Sequence, residues 1–183
     1  MAETSVFIQL DAARKVSGSA TSEGYEGWIF ADKLEFGIER ERPSGSGPAG
    51  ASGGLSSQYA RPDAKPITIR KKACLASCDL YAACTGQLRV DCVRIHVCAP
   101  SAGGKLVPYL IYELRECVFL AYELQLRDEK GVDEKVVLDY FALTVTFKEW
   151  DEKNRPVAGK DFVQHYDFDE SHGAEAAGGS TAS

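Results

Sequence analysis

YLIYELRECVFLAYELQLR (residues 109–127) and KVVLDYFALTVTFKEW (residues 135–150), separated by DEKGVDE, decide the fold class. In the first stretch Leu110, Tyr112, Leu114, Val118, Leu120, Tyr122, Leu124 and Leu126 are apolar, whereas Glu113, Arg115, Glu123, Gln125 and Arg127 fall between them. A period of two is the pattern of a strand with one face on a core. The second stretch places Val137, Phe141, Leu143, Val145 and Phe147 on one face and Tyr140, Ala142, Thr144, Thr146 and Lys148 on the other. The short charged connection with its glycine predicts an antiparallel hairpin. At about 3.3 Å per residue the first strand alone would run roughly 60 Å, longer than globular strands usually do. A bend is therefore expected, and Glu116, which interrupts the apolar face, is its place. Both faces are apolar over residues 117–122, which calls for cover on two sides, as in a barrel or a packed pair of sheets.

The alternation recurs on either side of this hairpin. Residues 5–11 set Val6, Ile8 and Leu10 against Phe7, Gln9 and Asp11. After a polar loop over 12–27, the pattern resumes from Trp28 with Phe30, Leu34, Phe36 and Ile38, broken at Asp32. Residues 66–72 give a short strand through Ile67 and Ile69. A helix is predicted over about 77–85, with Ser77 as N-cap, Asp79 in its first turn and Gly86 as a left-handed stop. Residues 88–98 form the next strand, with Val93, Ile95 and Val97 inward, and Ala99 to Lys105 a turn. Residues 1–150 thus read as one β domain. Residues 151–183 read as a polar extension with an aromatic cluster at Phe162, Tyr166 and Phe168, its last residues expected to be disordered.

Residues 43–58, PSGSGPAGASGGLSSQ, hold five Gly, five Ser and two Pro in sixteen positions. Such a stretch cannot pack a core. It is either a passive linker or a protruding loop that meets a partner.

Composition narrows the function. With 183 residues, 44% hydrophobic and 26% charged, the chain has the make-up of one soluble domain, and it has no apolar run of membrane-spanning length. Its net charge is −6. Residues after Trp150 contribute seven acids against Lys153, Arg155 and Lys160, and nucleic-acid binding is disfavoured because it needs a basic face. The start, MAETSVFIQLD, lacks a basic leader segment, so no Sec-type signal peptide is expected. Six cysteines without a C-x-x-C pair are expected as free, largely buried thiols.

Residue chemistry offers little for catalysis. Cys92, Arg94, His96 and Cys98 share a strand face, but Arg94 sits among the would-be ligands and the spacing matches no zinc motif. No metal or cofactor is expected. A cysteine nucleophile with His96, His165 or His172 as base has no feature that would depress a thiol pKa. Asp167, Asp169 and Glu170 lack a calcium-loop pattern, and SAGGK lacks a phosphate-loop pattern. The expected protein is not an enzyme, with a Cys-dependent enzyme as the lowest-ranked alternative.

The order of elements resembles the Hcp family, the tail-tube proteins of bacterial type VI secretion systems. It is carried by the FIQLD start, WIFADKLEFGIE, the Gly-rich loop, PITIRKK followed by ASCDLYAACTG, and the closing YFALTVTFKEW. The segment around Tyr166, Asp167 and Phe168 is similar to the Trp-Asp-hydrophobe ending of some members, with Tyr in place of Trp. The resemblance implies a mainly β fold, a two-sheet β-barrel of antiparallel strands with one short α-helix on its flank. It implies homohexameric rings that stack into tubes, effectors in the lumen, contacts with sheath, spike and baseplate proteins, and cytoplasmic assembly followed by secretion through the apparatus. No nucleic acid and no membrane insertion are implied. By the same resemblance the Gly-rich loop projects toward the next ring, with Ser44, Gly45, Ser46, Gly47, Gly53, Gly54 and Leu55 as stacking residues and Leu55 the apolar anchor. A tail-tube protein of a phage-like or other contractile particle is the alternative.

Overall fold

The structure, a computed structural model, describes residues 4–40, 62–127, 131–151 and 155–168. Twelve strands and one helix follow one another among these residues. They are β1 (Ser5–Ala12), β2 (Ile29–Ala31), β3 (Lys33–Glu35), β4 (Ile38–Glu39), β5 (Asp63–Ala64), β6 (Ile67–Lys72), α1 (Ser77–Cys84), β7 (Val90–Pro100), β8 (Leu106–Arg115), β9 (Val118–Arg127), β10 (Gly131–Asp139), β11 (Ala142–Trp150) and β12 (Pro156–Asp167). Six strands form one sheet in the order β12-β11-β8-β7-β1-β2 and four form a second, β3-β6-β10-β9; β4 and β5 pair separately. Every pairing is antiparallel. The fold is mainly β, as expected.

Cross-strand pairs explain the core. Ile8 opposes Ile95 and Leu10 opposes Val93, while Val93 and Leu143 both oppose Leu114. On the four-stranded sheet Ile69 opposes Val136, and Leu138 lies between Ile67 and Phe119. These rows are buried together in one cluster that also takes in Ala76, Leu80, Ala82 and Ala83 of the helical segment. Helix α1 lies against β9, where the rings of Tyr81 and Tyr122 meet edge to face at 6.0 Å. It ends as the sequence predicts. Gly86 has φ +74, and the amides of Gln87 and Leu88 return to the Ala82 carbonyl at 2.8 and 3.1 Å.

The expected bend falls at Glu116, the one non-glycine residue with positive φ (54°) among those described. Its amide donates to the Asp91 carbonyl at 3.1 Å, and Phe141 N–H donates to the Arg115 carbonyl at 3.1 Å. The turn does more than bend the chain: it passes β8 in the six-stranded sheet to β9 in the four-stranded one. The same transfer happens at Asp32, between β2 and β3, and at Tyr140-Phe141, between β10 and β11. Three stretches that read as single strands are therefore each shared between two sheets.

Several side chains face otherwise than the alternation predicts. A register shift between Val137 and Leu138 pairs Val137 with Ala121 but Leu138 with Phe119, which leaves Leu120 unopposed and turns Phe119 inward. Val118 and Leu120 are consequently exposed. Phe141, expected in the core, is 41% exposed, and Val136, Leu138 and Tyr140 are buried instead; Phe147 shares the face of the buried Leu143 but is 44% exposed. Phe30 and Ile38 are also exposed, while Ile29 and Ala31 are buried. Ser77 is not the N-cap. That position is Ala76, and the Ser77 hydroxyl accepts the Cys74 amide at 2.9 Å. Residues 156–167, for which no strand was expected, pair along β11 as the edge strand β12.

The loop before β2 carries structure that its small polar residues do not suggest. Tyr25 stacks on Phe7 with centroids 4.2 Å apart and, with the fully buried Cys98, builds a second small core away from the main one. Gly18 allows this path. A Cβ there would lie 2.2 Å from the Trp28 carbonyl oxygen, against which the backbone is folded.

Candidate assembly surfaces

The sites a subunit offers to others are its sheet edges, its exposed apolar side chains and its charged faces. Strands β12 and β2 end one sheet, β3 and β9 the other. An edge presents unpaired backbone donors and acceptors and is a template for another chain unless it is guarded. Near the β12 edge, Phe147 opposes Phe162 and Leu110, and alternation puts this row on the core-facing side of its sheet. Phe162 is nevertheless 62% exposed. The six-stranded sheet thus extends past the cover of the four-stranded one. At the β9 edge Val118, Leu120, Leu124 and Leu126 are all exposed, with Tyr81 of α1 nearby on Tyr122. One subunit therefore has two unlike apolar edges.

Two polar clusters lie inside. Lys71 and Glu134, each nearly without solvent contact, form an ion pair directly across β6 and β10. The Tyr122 hydroxyl donates to Glu134 at 2.7 Å, and the Lys71 ammonium lies 3.5 Å from the Ser77 hydroxyl. Burial pushes the Glu134 carboxyl up, but hydrogen bonds from Lys71, Tyr122 and Ser77 outweigh it and hold the group below its ordinary range. The pair pins the start of α1 to the sheet. In the second cluster the Tyr25 hydroxyl lies 3.1 Å from both His96 Nδ1 and Cys98 Sγ. Burial lowers the His96 pKa and raises that of the Cys98 thiol, so the neutral forms are favoured and no thiolate is prepared for attack.

The sequence-level candidates are dispersed accordingly. Among the described residues no group of three or more His, Cys, Asp and Glu side chains could hold a metal ion. Arg94 pairs with Glu113 at 3.3 Å, and His165 Nδ1 lies 2.9 Å from the Thr144 hydroxyl. His172, Asp169 and Glu170 lie outside the described residues, as do the stacking residues Ser44, Gly45, Ser46, Gly47, Gly53, Gly54 and Leu55. All six thiols are free. They are less uniformly buried than expected: Cys98 is buried, Cys78 exposed and the others in between. Maleimide labelling of the native protein at neutral pH should modify Cys78 first. Cys117, whose pKa burial pushes up to about 12, and Cys98 should react only after denaturation. Early labelling of Cys98 would mean that the small Tyr25 core opens readily.

Comparison with known proteins agrees with this architecture. Residues 7–147 match the family described as "Type VI secretion system effector, Hcp". No curated protein matches the chain significantly. Among solved structures, one titled "Structure of a type six secretion system protein" is similar with a TM-score of 0.75 at 17% identity, covering 90% of this chain and 96% of the other. Hcp1 from Salmonella typhimurium is similar with a TM-score of 0.67 at 16% identity, with 92% and 96% covered. Hcp3 from Pseudomonas aeruginosa follows the same fold with a TM-score of 0.58 at 18% identity, with 88% and 97% covered.

Proposed function

The chain belongs to the Hcp family and is a structural component of the type VI secretion tube, and from this premise we propose that it acts as a homohexameric ring that stacks axially and encloses secreted effectors. The observation that carries the ring is that, among the described residues, one subunit ends its two sheets on unlike edges, β9 and β12, each beside exposed apolar side chains. A contact between unlike surfaces is heterologous, and it closes into a ring when the rotation between neighbours divides a full turn. The subunit performs no chemistry in this reading. It assembles in the cytoplasm, meets sheath, spike and baseplate proteins as part of the tube, and leaves through the apparatus.

Sedimentation tests the ring. A species of roughly six times the 19.9 kDa monomer is expected, and a strictly monomeric protein at high concentration would remove the proposal. Stacking is assigned to residues 43–58, with Leu55 as the apolar contact and Ser44, Gly45, Ser46, Gly47, Gly53 and Gly54 allowing close backbone approach. Deleting residues 44–54 should leave folding and ring mass unchanged, because shortening a loop changes closure entropy only slightly. Tube length in electron micrographs should fall. Tubes of parental length would make the segment a passive linker.

A further inference from the structure

The outer face of the four-stranded sheet sets three cations side by side. Pairing brings Lys33 opposite Arg70 and Arg70 opposite Lys135, so that β3, β6 and β10 each contribute one positive side chain to a single row. Neighbouring strands lie only about 4.8 Å apart, and directly opposed like charges destabilise a sheet. The chain as a whole carries −6, so a generally basic composition does not account for the row. Its two ends are compensated. Lys33 pairs with Glu35, Lys135 with Glu123 at 2.8 Å, and Lys72, two residues along β6 on the same face, with Asp133. The Arg70 side chain at the centre is exposed and makes no hydrogen bond or ion pair with a described residue; Glu35 acts on it only through space. The row floors a trough of about 590 Å³ that Asp32, Leu124 and Gln125 also line. That volume is in the range of ligand-binding clefts.

We propose that this trough docks an acidic peptide segment of a protein carried by the tube, with Arg70 taking a carboxylate in a bidentate pair. The inference rests on the tube reading only for the source of the peptide. A guanidinium is the side chain best shaped for a carboxylate, and an incoming anion would offset the repulsion in the row. The surrounding acids narrow the choice. Glu35 and Glu123 at the ends, with Asp32 and Asp133 beside them, repel a continuous polyanion such as nucleic acid. A peptide can place one carboxylate on Arg70 and lay its neighbours beside Gln125 and Leu124.

The test is fluorescence anisotropy of the full chain with a short labelled peptide carrying glutamates among Gly and Ser, and with its Gln-for-Glu twin. The glutamate peptide should bind and the twin should not. Arg70→Gln should weaken binding at least about tenfold, Arg70→Lys should retain part of it, and added salt should weaken it in the parent. Arg70→Gln also relieves the repulsion in the row, so its thermal midpoint should be no lower than the parent's. No binding of the glutamate peptide, equal binding of the twin, or unchanged binding by a folded Arg70→Gln variant would each overturn the proposal. Displacement by inorganic phosphate at concentrations equal to the peptide would overturn the peptide assignment in favour of a small-anion site. Sedimentation of the same samples reports the ring separately, so loss of the ring and loss of the docking site are distinguishable.

Discussion

Glu134→Ala should destabilise the fold by about 3–5 kcal/mol in urea unfolding, because it leaves the Lys71 ammonium buried without its partner. Both side chains are 1% exposed. The Tyr122 hydroxyl would also lose its acceptor, and the Ser77 hydroxyl completes the network where α1 meets the sheet. Lys71→Met should cost a similar amount for the converse reason. The double variant Lys71→Met with Glu134→Leu removes both charges and should recover most of the loss, since an apolar pair of similar volume often replaces a buried ion pair without penalty. A double variant no better than the worse single one would show that the site depends on its hydrogen bonds and not on charge balance. The network also sets a pH dependence. Because the folded Glu134 carboxyl is held below its ordinary range, its contribution is present above the unfolded pKa and is lost as pH falls through the folded one.

Leu138→Ala should cost about 2–5 kcal/mol, as for a fully buried leucine in a well-packed core. Leu138 has no solvent exposure and lies between Ile67 and Phe119 in the four-stranded sheet. Phe141→Ala and Phe147→Ala, at residues roughly four-tenths exposed, should cost only about 1 kcal/mol in the isolated subunit. The same three variants distinguish the observed register from the simple alternation of the sequence, in which Phe141 and Phe147 would be core and Leu138 surface. Equal losses at Phe141 and Leu138 would place Tyr140 and the turn beside it incorrectly.

Local chemistry was readable from residues close together in the chain. Ile67 and Ile69 mark β6, Gly86 stops α1, and Glu116 marks the break in the longest apolar stretch, because each effect depends on a few neighbouring positions. Strand β12 was not readable. It is an edge strand whose side chains are largely exposed, so residues such as Lys160 and Asp161 carry no apolar alternation, and its pairing with β11 is satisfied by backbone groups common to any sequence.

The sequence by itself determined that the chain is a β protein with one short helix, and the order of its elements determined the family it resembles. Both follow from local periodicity and from turn and helix-stop residues. Only the tertiary structure decided which apolar side chains are core, since the bulge at Leu120 turns Phe119 inward and the crossings between sheets at Glu116 and at Tyr140-Phe141 reset the alternation. It alone paired Lys71 with Glu134, 63 residues apart, and aligned Lys33, Arg70 and Lys135 in one row. Those contacts depend on strand register, which is set by packing between segments distant in the chain and leaves no mark in any one of them.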